Sequence, residues 1–419
     1  MFERRAREGE SVASPPELGE AEAFVLALVQ SLHRHGLPAY RIEDALARVG
    51  RRLGLELQVF TVPTGLTLGL GPLATQRVRL IRVQPGSIDL ARIAALAELI
   101  EDVVDGRRSL AAASARLGEI ERQPKVHGPW LMTAAYALSS AASAVFFGAA
   151  LAQVAVSGAI GALVGVLALA FARHERFARM FEALGAAAAA FLAGLASALP
   201  FALERDYVTL AAVIVLLPGH TLTVAMNELA AGHYSSGTAR LGGVLATLFL
   251  LACGAAVGGA AAGAVLALLP HAAALAPAAL PAVAPWIALL VAPLAYKVLF
   301  QARHRDTPWI VGAAVLAYLG ARAGAAWLGP LLGAGCGAFV LGLTSNTLAR
   351  VRLRPGSITA VPGLLVLVPG SIGFLGVNSF LAQDTLAGLE LVARMLAIAT
   401  ALVCGLLLAG VVLPSQRTL

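Results

Sequence analysis

Charged residues are scarce over most of this chain and concentrate at its beginning. Of the 419 residues, 58% are hydrophobic and only 13% are charged, whereas roughly a quarter of the residues of a soluble domain are charged. Residues 1–129 hold 17 Lys/Arg and 16 Asp/Glu, and the rest of the chain holds only 14 and 8. This deficit excludes an ordinary soluble protein and confines the polar part to the segment before residue 130.

Other features that the sequence lacks narrow the class of protein further. The three cysteines, Cys253, Cys336 and Cys404, lie in apolar runs without the spacing of metal ligands, so we interpret them as small packing residues. No phosphate-binding loop, metal cluster or nucleophile elbow is recognisable, so we expect no catalytic residues, cofactor or metal. The charged N-terminus, Met1 to Leu18, lacks the apolar core of a signal peptide. The net charge of +7 comes largely from arginines in short loops, and we predict no nucleic-acid partner.

Long uncharged runs follow the charged segment, at 130–172, 183–203, 207–227, 241–296, 323–349, 355–383 and 395–416. A helix needs about 20 mainly apolar residues to cross a bilayer, so we predict a mainly α-helical polytopic membrane protein with about ten transmembrane helices. The predicted spans are 130–151, 154–172, 182–203, 207–228, 238–261, 285–301, 308–327, 329–348, 357–380 and 390–412.

Arginines collect in alternate short loops, after the second, sixth and eighth predicted spans. They are Arg173, Arg176, Arg179, Arg303, Arg305, Arg350, Arg352 and Arg354. The intervening loops carry little positive charge, with Arg322 as the exception. Because short cytoplasmic loops are rich in Lys and Arg, we predict a multi-pass protein of the cytoplasmic (inner) membrane with both termini in the cytoplasm.

An internal repeat relates two of the predicted spans. Leu-Leu-Pro-Gly-His-Thr-Leu-Thr-Val-Ala-Met-Asn at 216–227 matches Leu-Val-Pro-Gly-Ser-Ile-Gly-Phe-Leu-Gly-Val-Asn at 367–378, so that Pro, Gly and Asn recur at one offset of 151 residues. Each segment is the fourth span of a five-span half, and an odd number of spans reverses the second half in the membrane. We therefore predict two inverted five-helix repeats, at 129–264 and 285–413, joined by a Pro/Ala linker at 265–284.

The Pro-Gly pairs predict helices broken near the middle of the bilayer. Proline removes a helical hydrogen bond, and freed backbone groups are tolerated in a membrane only where they face protein or a water-filled cavity. The half-helix after such a break presents N–H groups that attract a carboxylate. A simple proline kink is the alternative for each pair alone, and a packing role is the alternative for His220. The candidate substrate-site residues are Pro218, Gly219, His220, Asn227, Pro362, Gly363, Pro369, Gly370, Ser371 and Asn378.

Ionisable residues in or beside the spans are candidates for coupling transport to an ion. Glu228 ends the fourth span, and Glu390 and Arg394 have the i, i+4 spacing of an ion pair on one helix face. Arg240 opens the fifth span, where reaching out to the membrane interface is the alternative role. An interfacial ion pair is the alternative for Glu390 and Arg394.

The segment before the spans predicts a disordered N-terminus at 1–19 and an α/β domain at 20–128. Helical periodicity extends from Arg41 to Gly54, and strand-like alternation covers 55–62 and 77–83. Asp89 is placed to cap a helix that runs to about Val104. We expect a docking or regulatory domain in which Arg41 and Glu43 make stabilising contacts.

Several motifs occur in a distinctive order over residues 20 to 412. They are Leu32-His33-Arg34-His35-Gly36, Arg41-Ile42-Glu43, Thr75 to Val83, Leu217-Pro218-Gly219, Gly232-His233-Tyr234, Gly237 with Ala239-Arg240, and the stretch from Val361-Pro362-Gly363 to Pro369-Gly370-Ser371. In this order they resemble the threonine/serine exporter family of bacterial secondary transporters. The resemblance implies ten spans, a cytoplasmic N-terminal domain and proton-driven export of small hydroxy amino acids.

The resemblance also leaves alternatives. A similar architecture, split over two polypeptides, is linked to succinate export, so a small dicarboxylate is a second candidate substrate. A channel would need a continuous polar stripe, and a membrane-embedded enzyme or sensor would need several converging polar residues. The expected partners are a small carboxylate-bearing metabolite such as threonine or serine, protons and the lipid bilayer, with a homo-oligomer left open.

Overall fold

The computed structural model describes residues 19–84, 86–172, 180–200, 203–268, 278–352, 354–367 and 370–414. An N-terminal α/β domain is followed by a part in which every described element is a helix. The predicted disordered N-terminus lies outside the described residues except for Gly19, and so do Pro369 and the arginines of the loop at 173–179.

The described residues of the N-terminal domain form four α-helices, a short 3₁₀ helix (Leu73–Thr75) and one small antiparallel sheet. Its elements are α1 (Glu20–Arg34), α2 (Ala39–Leu53), β1 (Leu57–Val62), β2 (Gly65–Leu70), β3 (Arg77–Arg82), α3 (Leu90–Val104) and α4 (Leu110–Arg122). The strands form a meander in the order β1-β2-β3. Leu66 and Leu68 of β2 are fully buried in one core with Leu28 of α1, Leu46 of α2 and Leu96 of α3, so the helices cover one face of the sheet.

Most of the elements predicted here are confirmed. Helix α2 ends at Leu53 and is capped by Gly54, whose left-handed φ of 67° suits glycine. The Asp89 carboxylate accepts a hydrogen bond from the Arg92 N–H at 3.0 Å and so caps α3. Strand β2, which the sequence analysis did not predict, lies between β1 and β3 and pairs with both. Gly65 and Gly69 weaken its local signal, because glycine is depleted in strands and pairing on both sides decides the outcome.

The helical part has eleven described helices. They are α5 (Pro129–Phe146), α6 (Leu151–Phe171), α7 (Phe181–Ala196), α8 (Arg205–Ala212), α9 (Gly219–Ala230), α10 (Tyr234–Leu266), α11 (Ala284–Leu299), α12 (Thr307–Arg352), α13 (Ser357–Leu367), α14 (Gly370–Leu381) and α15 (Thr385–Val412). Four described helices are long and apolar enough to cross a membrane, and up to six if each of two bent pairs counts as one span. The chain is therefore a mainly helical membrane protein, while ten spans and the inverted repeat stay predictions.

Helix α12 is two helices that meet at one non-helical residue. Its 46 residues would extend about 69 Å as a straight helix, which is about twice the hydrocarbon thickness. Gly329 has φ 83° and ψ 166° and is followed by Pro330. A Cβ added at Gly333 would lie 2.7 Å from the Ala321 carbonyl oxygen and 2.6 Å from the Ala325 nitrogen. The two halves therefore fold back on each other, which agrees with the predicted boundary between spans seven and eight.

The N-terminal domain and the helical part share a core. Ala302, Ile310, Ile358 and Val361 belong to the same buried apolar cluster as the helices of the N-terminal domain. The Leu90 N–H also donates to the Phe300 carbonyl oxygen at 2.9 Å. The N-terminal domain is thus packed directly against the helices instead of being joined to them only by the chain.

Candidate functional site

The first predicted break is confirmed between α8 and α9. Helix α8 ends at Ala212, a single 3₁₀ turn covers Ile214–Leu216, and Leu217 is extended with φ −66° and ψ 129°. Helix α9 then begins at Gly219, directly after Pro218, and the two segments are bent by 53°. A helix break is expected here, because proline cannot donate the helical hydrogen bond and glycine, which lacks a side chain, has no strong preference for the helix.

The second break lies between α13 and α14. Helix α13 ends at Leu367, α14 begins at Gly370, and the two are bent by 41°. The additional pair, Pro362 and Gly363, does not interrupt a helix. Both residues lie within helix α13 and are buried. A Cβ at Gly363 would lie 2.5 Å from Leu341 Cδ1, so this glycine serves close helix packing. Pro362 and Gly363 therefore lie within one helix, and their assignment to the substrate site stays a prediction.

The two breaks meet. A Cβ placed on Gly370 would lie 3.2 Å from Leu217 Cβ and 3.4 Å from both the backbone nitrogen and the Cα of Gly219. The first residues of α9 and α14 are thus neighbours, although they are 151 positions apart. A Cβ at position 370 would be in tight contact with the Leu217 side chain and would touch the Gly219 backbone, so a side chain larger than that of alanine would have to displace one of them.

A cavity of about 710 Å³ surrounds this meeting point. The first break contributes Leu217, Pro218, Gly219, His220 and Thr221, and the second contributes Leu365, Gly370 and Ser371. Polar side chains from other helices are Tyr136, Glu182, Thr247 and Tyr296. The N-terminal domain adds Arg34, His35, Asp89 and Arg92, with Lys125 from the segment that follows it. The cavity therefore reaches from the two helix breaks to the N-terminal domain.

The predicted site residues divide into two groups. Pro218, Gly219, His220, Gly370 and Ser371 line the cavity, whereas four others lie elsewhere: Asn227, Pro362, Gly363 and Asn378. Pro369 lies outside the described residues. Sequence analysis missed the polar residues that α5, α7, α10 and α11 contribute. Glu182 carried a usable signal, since it is a carboxylate at the start of a predicted span.

Glu228 forms a buried polar cluster between α9 and the N-terminal domain. Its side chain is fully buried and accepts hydrogen bonds from the Ala39 N–H at 2.9 Å, the Ser236 hydroxyl at 2.7 Å and the Arg240 guanidinium at 2.9 Å. Arg240 is therefore paired within the protein. Three donors satisfy a carboxylate that would be costly to bury alone.

Further contacts extend this interface. Asn227 donates from Nδ2 to the Tyr40 hydroxyl at 2.8 Å. Glu43 accepts from the Thr61 N–H at 3.0 Å and hydroxyl at 2.8 Å, and its other oxygen lies 3.5 Å from His233 Nδ1. These contacts agree with the stabilising role expected of Glu43.

His33 of the motif in α1 is also close to this interface. Burial lowers the pKa of His33, and the charge of Arg240 lowers this pKa further. The histidine is therefore held in its neutral form more strongly than a free histidine. Several motifs that are far apart in sequence thus meet where the N-terminal domain contacts α9 and α10.

Glu390 and Arg394 lie elsewhere. Both side chains are exposed on α15, and neither lines the cavity at the breaks. Their coupling role stays a prediction without support from the cavity geometry.

Apolar helices, two of which are broken at adjacent points beside a polar-lined cavity, place this chain among membrane proteins with discontinuous helices. Two models of one family match it in succession: the ThrE model matches residues 23–262, and a second, described as "Threonine/Serine exporter, ThrE", matches residues 286–412. The chain belongs to the threonine/serine exporter family, a family of membrane transporters.

Curated relatives are similar over most of this chain. "Pheromone-regulated membrane protein 10" of Yarrowia lipolytica is 22% identical over 89% of this chain and 32% of its own length. The protein of the same name in Candida albicans is 24% identical over 84% of this chain and 33% of its own length. An uncharacterised protein of Schizosaccharomyces pombe is 23% identical over 85% of this chain and 48% of its own length. The chain thus spans about a third to a half of these relatives. No solved structure matches.

Proposed function

We propose that this protein is a secondary active transporter that exports threonine and serine by alternating access around the two broken helices. The observation that carries the proposal is the close approach of Gly370 to Gly219 at one cavity, where a Cβ on Gly370 would lie 3.4 Å from the Gly219 backbone. Broken helices that meet at a substrate site recur in secondary transporters, and family membership agrees with this class.

The chemistry of the cavity suits a small hydroxy amino acid. The N-terminal ends of α9 and α14 supply backbone N–H groups with partial positive charge, which favour a carboxylate. Thr221 and Ser371, one from each half-helix, add hydroxyl groups to the lining that can pair with the hydroxyl of the substrate. A buried site that hydrogen-bonds a substrate hydroxyl discriminates against analogues that lack it.

The rest of the topology completes the proposal. With ten spans in two inverted halves and both termini in the cytoplasm, the N-terminal domain lies on the cytoplasmic side. The cavity, which reaches this domain, then corresponds to the state that loads substrate from the cytoplasm. Such a state is the one that an exporter needs before it turns outward.

Glu228 is our candidate for coupling export to protons. Its carboxylate holds α9 to the N-terminal domain through the Ala39 N–H and to α10 through Arg240. Protonation would remove the charge that makes these hydrogen bonds strong and would loosen the half-helix that begins at Gly219. Glu228→Gln should abolish accumulation against a gradient while sparing exchange of labelled for unlabelled substrate. Accumulation at the wild-type level by Glu228→Gln would exclude this role.

Counterflow in proteoliposomes tests the function itself, with labelled threonine, serine and succinate as the panel. Wild type should exchange threonine and serine. Gly370→Val should lose exchange about a hundredfold or more while staying inserted and monodisperse, because its side chain would fill the space against the Gly219 backbone.

Gly312→Val is the matched control, because nothing lies within 4 Å of a Cβ at Gly312, and it should exchange at the wild-type level. Normal exchange by Gly370→Val would show that the substrate site does not lie at the two helix breaks. If wild type exchanges succinate but neither threonine nor serine, the substrate is a dicarboxylate and not a hydroxy amino acid.

Export of a small dicarboxylate is the second candidate, and one observation favours it. Arg34, Arg92 and Lys125 line the end of the cavity next to the N-terminal domain. Arg34 pairs with Glu121 at 3.1 Å and Arg92 lies 3.8 Å from Asp89, so Lys125 leaves a net positive charge that would raise the local concentration of a dianion. The succinate arm of the counterflow panel tests this candidate directly.

A further inference from the structure

A single carboxylate from the helical part lines the described cavity. Glu182 lies in the first turn of α7, which otherwise consists of apolar and small residues. Its side chain is half-buried, and no hydrogen bond or ion pair joins it to another described residue. An ionisable side chain in a membrane-spanning segment costs free energy, and it is therefore a candidate functional residue by default.

Helix α7 approaches the first break closely. Three residues after Glu182, a Cβ at Gly185 would lie 3.1 Å from Leu216 Cδ1, and residues three apart lie on the same face of a helix. Glu182 therefore projects from the face of α7 that packs against the 3₁₀ turn preceding Gly219. This position explains why it lines the same cavity as the two breaks.

The other charges around the cavity make this carboxylate distinctive. Arg34, Arg92 and Lys125 are cationic, and the two half-helix ends carry partial positive charge. Arg34 is paired with Glu121 at 3.1 Å, so Lys125 and the half-helix ends carry the uncompensated positive charge. The remaining carboxylate in the lining is that of Asp89. It already accepts a hydrogen bond from the Arg92 N–H at 3.0 Å, and its other oxygen lies 3.8 Å from Arg92 Nε. An otherwise electropositive cavity would favour a dianion over a zwitterion.

We propose, on the basis of the function proposed above, that Glu182 binds the ammonium group of the substrate and thereby selects an amino acid over a dicarboxylate. The substrate carboxylate lies at the half-helix ends, and its ammonium donates to Glu182. A charge-assisted hydrogen bond of this kind contributes enough that its loss lowers affinity roughly tenfold or more. The same change removes the repulsion that a second carboxylate of succinate meets.

The test compares wild type, Glu182→Gln, Glu182→Asp and the control Glu204→Gln in threonine counterflow, with unlabelled succinate and N-acetylthreonine as competitors. Glu204 is exposed and outside the cavity lining. Glu182→Gln should raise the apparent KM for threonine roughly tenfold or more and increase competition by succinate and N-acetylthreonine. Glu182→Asp should retain the preference for threonine with a smaller rise in KM, and Glu204→Gln should match wild type.

An unchanged KM and unchanged competition for Glu182→Gln would overturn the assignment while leaving the proposed function intact. So would a loss of gradient-driven accumulation with normal counterflow, because that result would make Glu182 a coupling residue. If wild type exchanges succinate but not threonine, both the proposed function and this assignment fail. Melting temperatures with and without threonine show whether a silent variant is folded.

Discussion

The two broken helices have the same kind of break, but different contacts hold the C-terminal parts of the half-helices that follow it. Helices α9 and α14 each contain 12 residues and begin at the glycine of a Pro-Gly pair. The end of α9 is held by hydrogen bonds from Asn227 and to Glu228 that reach the N-terminal domain. Helix α14 instead packs by glycine against apolar side chains, and a Cβ at Gly376 would lie 3.1 Å from Leu391 Cβ.

This difference teaches that a matched pair of sequence motifs can form one site while responding to different parts of the molecule. Hydrogen bonds to a buried carboxylate require a fixed geometry, whereas apolar contacts tolerate sliding. A displacement of the N-terminal domain would therefore act on the first break through hydrogen bonds to α9, and on the second only through the apolar packing of Ile358 and Val361 of α13. The two breaks would thus respond to the same domain by different kinds of contact.

The largest effect on stability is expected from Glu228→Ala. This change leaves the Arg240 charge and the Ala39 N–H without their buried partner, which typically costs about 3–5 kcal/mol. Thermal unfolding of the full chain in detergent measures it. Asn378→Ala, at the other half-helix, should change stability by less than about 0.5 kcal/mol. Equal losses at the two positions would contradict the asymmetry.

A smaller effect is expected from Asn227→Ala. Loss of its hydrogen bond to the Tyr40 hydroxyl should destabilise the protein by about 0.5–1.5 kcal/mol. A double-mutant cycle with Tyr40→Phe isolates this contact, because both changes remove the same bond. Additive effects of the two substitutions would show that the contact contributes nothing to domain docking.

The smallest effect is a pH dependence due to His33. Since burial lowers the pKa of this histidine in the folded protein, the unfolded chain takes up a proton first as the pH falls below about 6.5. Stability should therefore decrease from neutral pH towards the lower folded-state pKa, and His33→Gln should flatten this part of the profile. The same slope in both proteins, measured by thermal unfolding over this range, would assign the dependence to other groups.

Local patterns in the sequence were sufficient for some features. Asp89 before an apolar helix, and Pro218-Gly219 within an apolar run, predict a helix start and a helix break from local chemistry alone. The cavity could only partly be predicted, because Tyr136 and Thr247 reach it from helices that give no sign of which face is inward. The contact of Glu228 with the N-terminal domain could not be predicted, since its partner Ala39 contributes a backbone N–H that no side-chain pattern can indicate.

The most direct test of the central claim, that the two breaks form one substrate site, is substrate protection of introduced cysteines. In a background with Cys253, Cys336 and Cys404 replaced by alanine, Thr221→Cys and Ser371→Cys place one thiol beside each break within the same cavity. Labelling of both by a small thiol reagent should be slowed by threonine with the same half-maximal concentration. Protection of one position alone, or of neither at saturating threonine, would contradict a single site between the two broken helices.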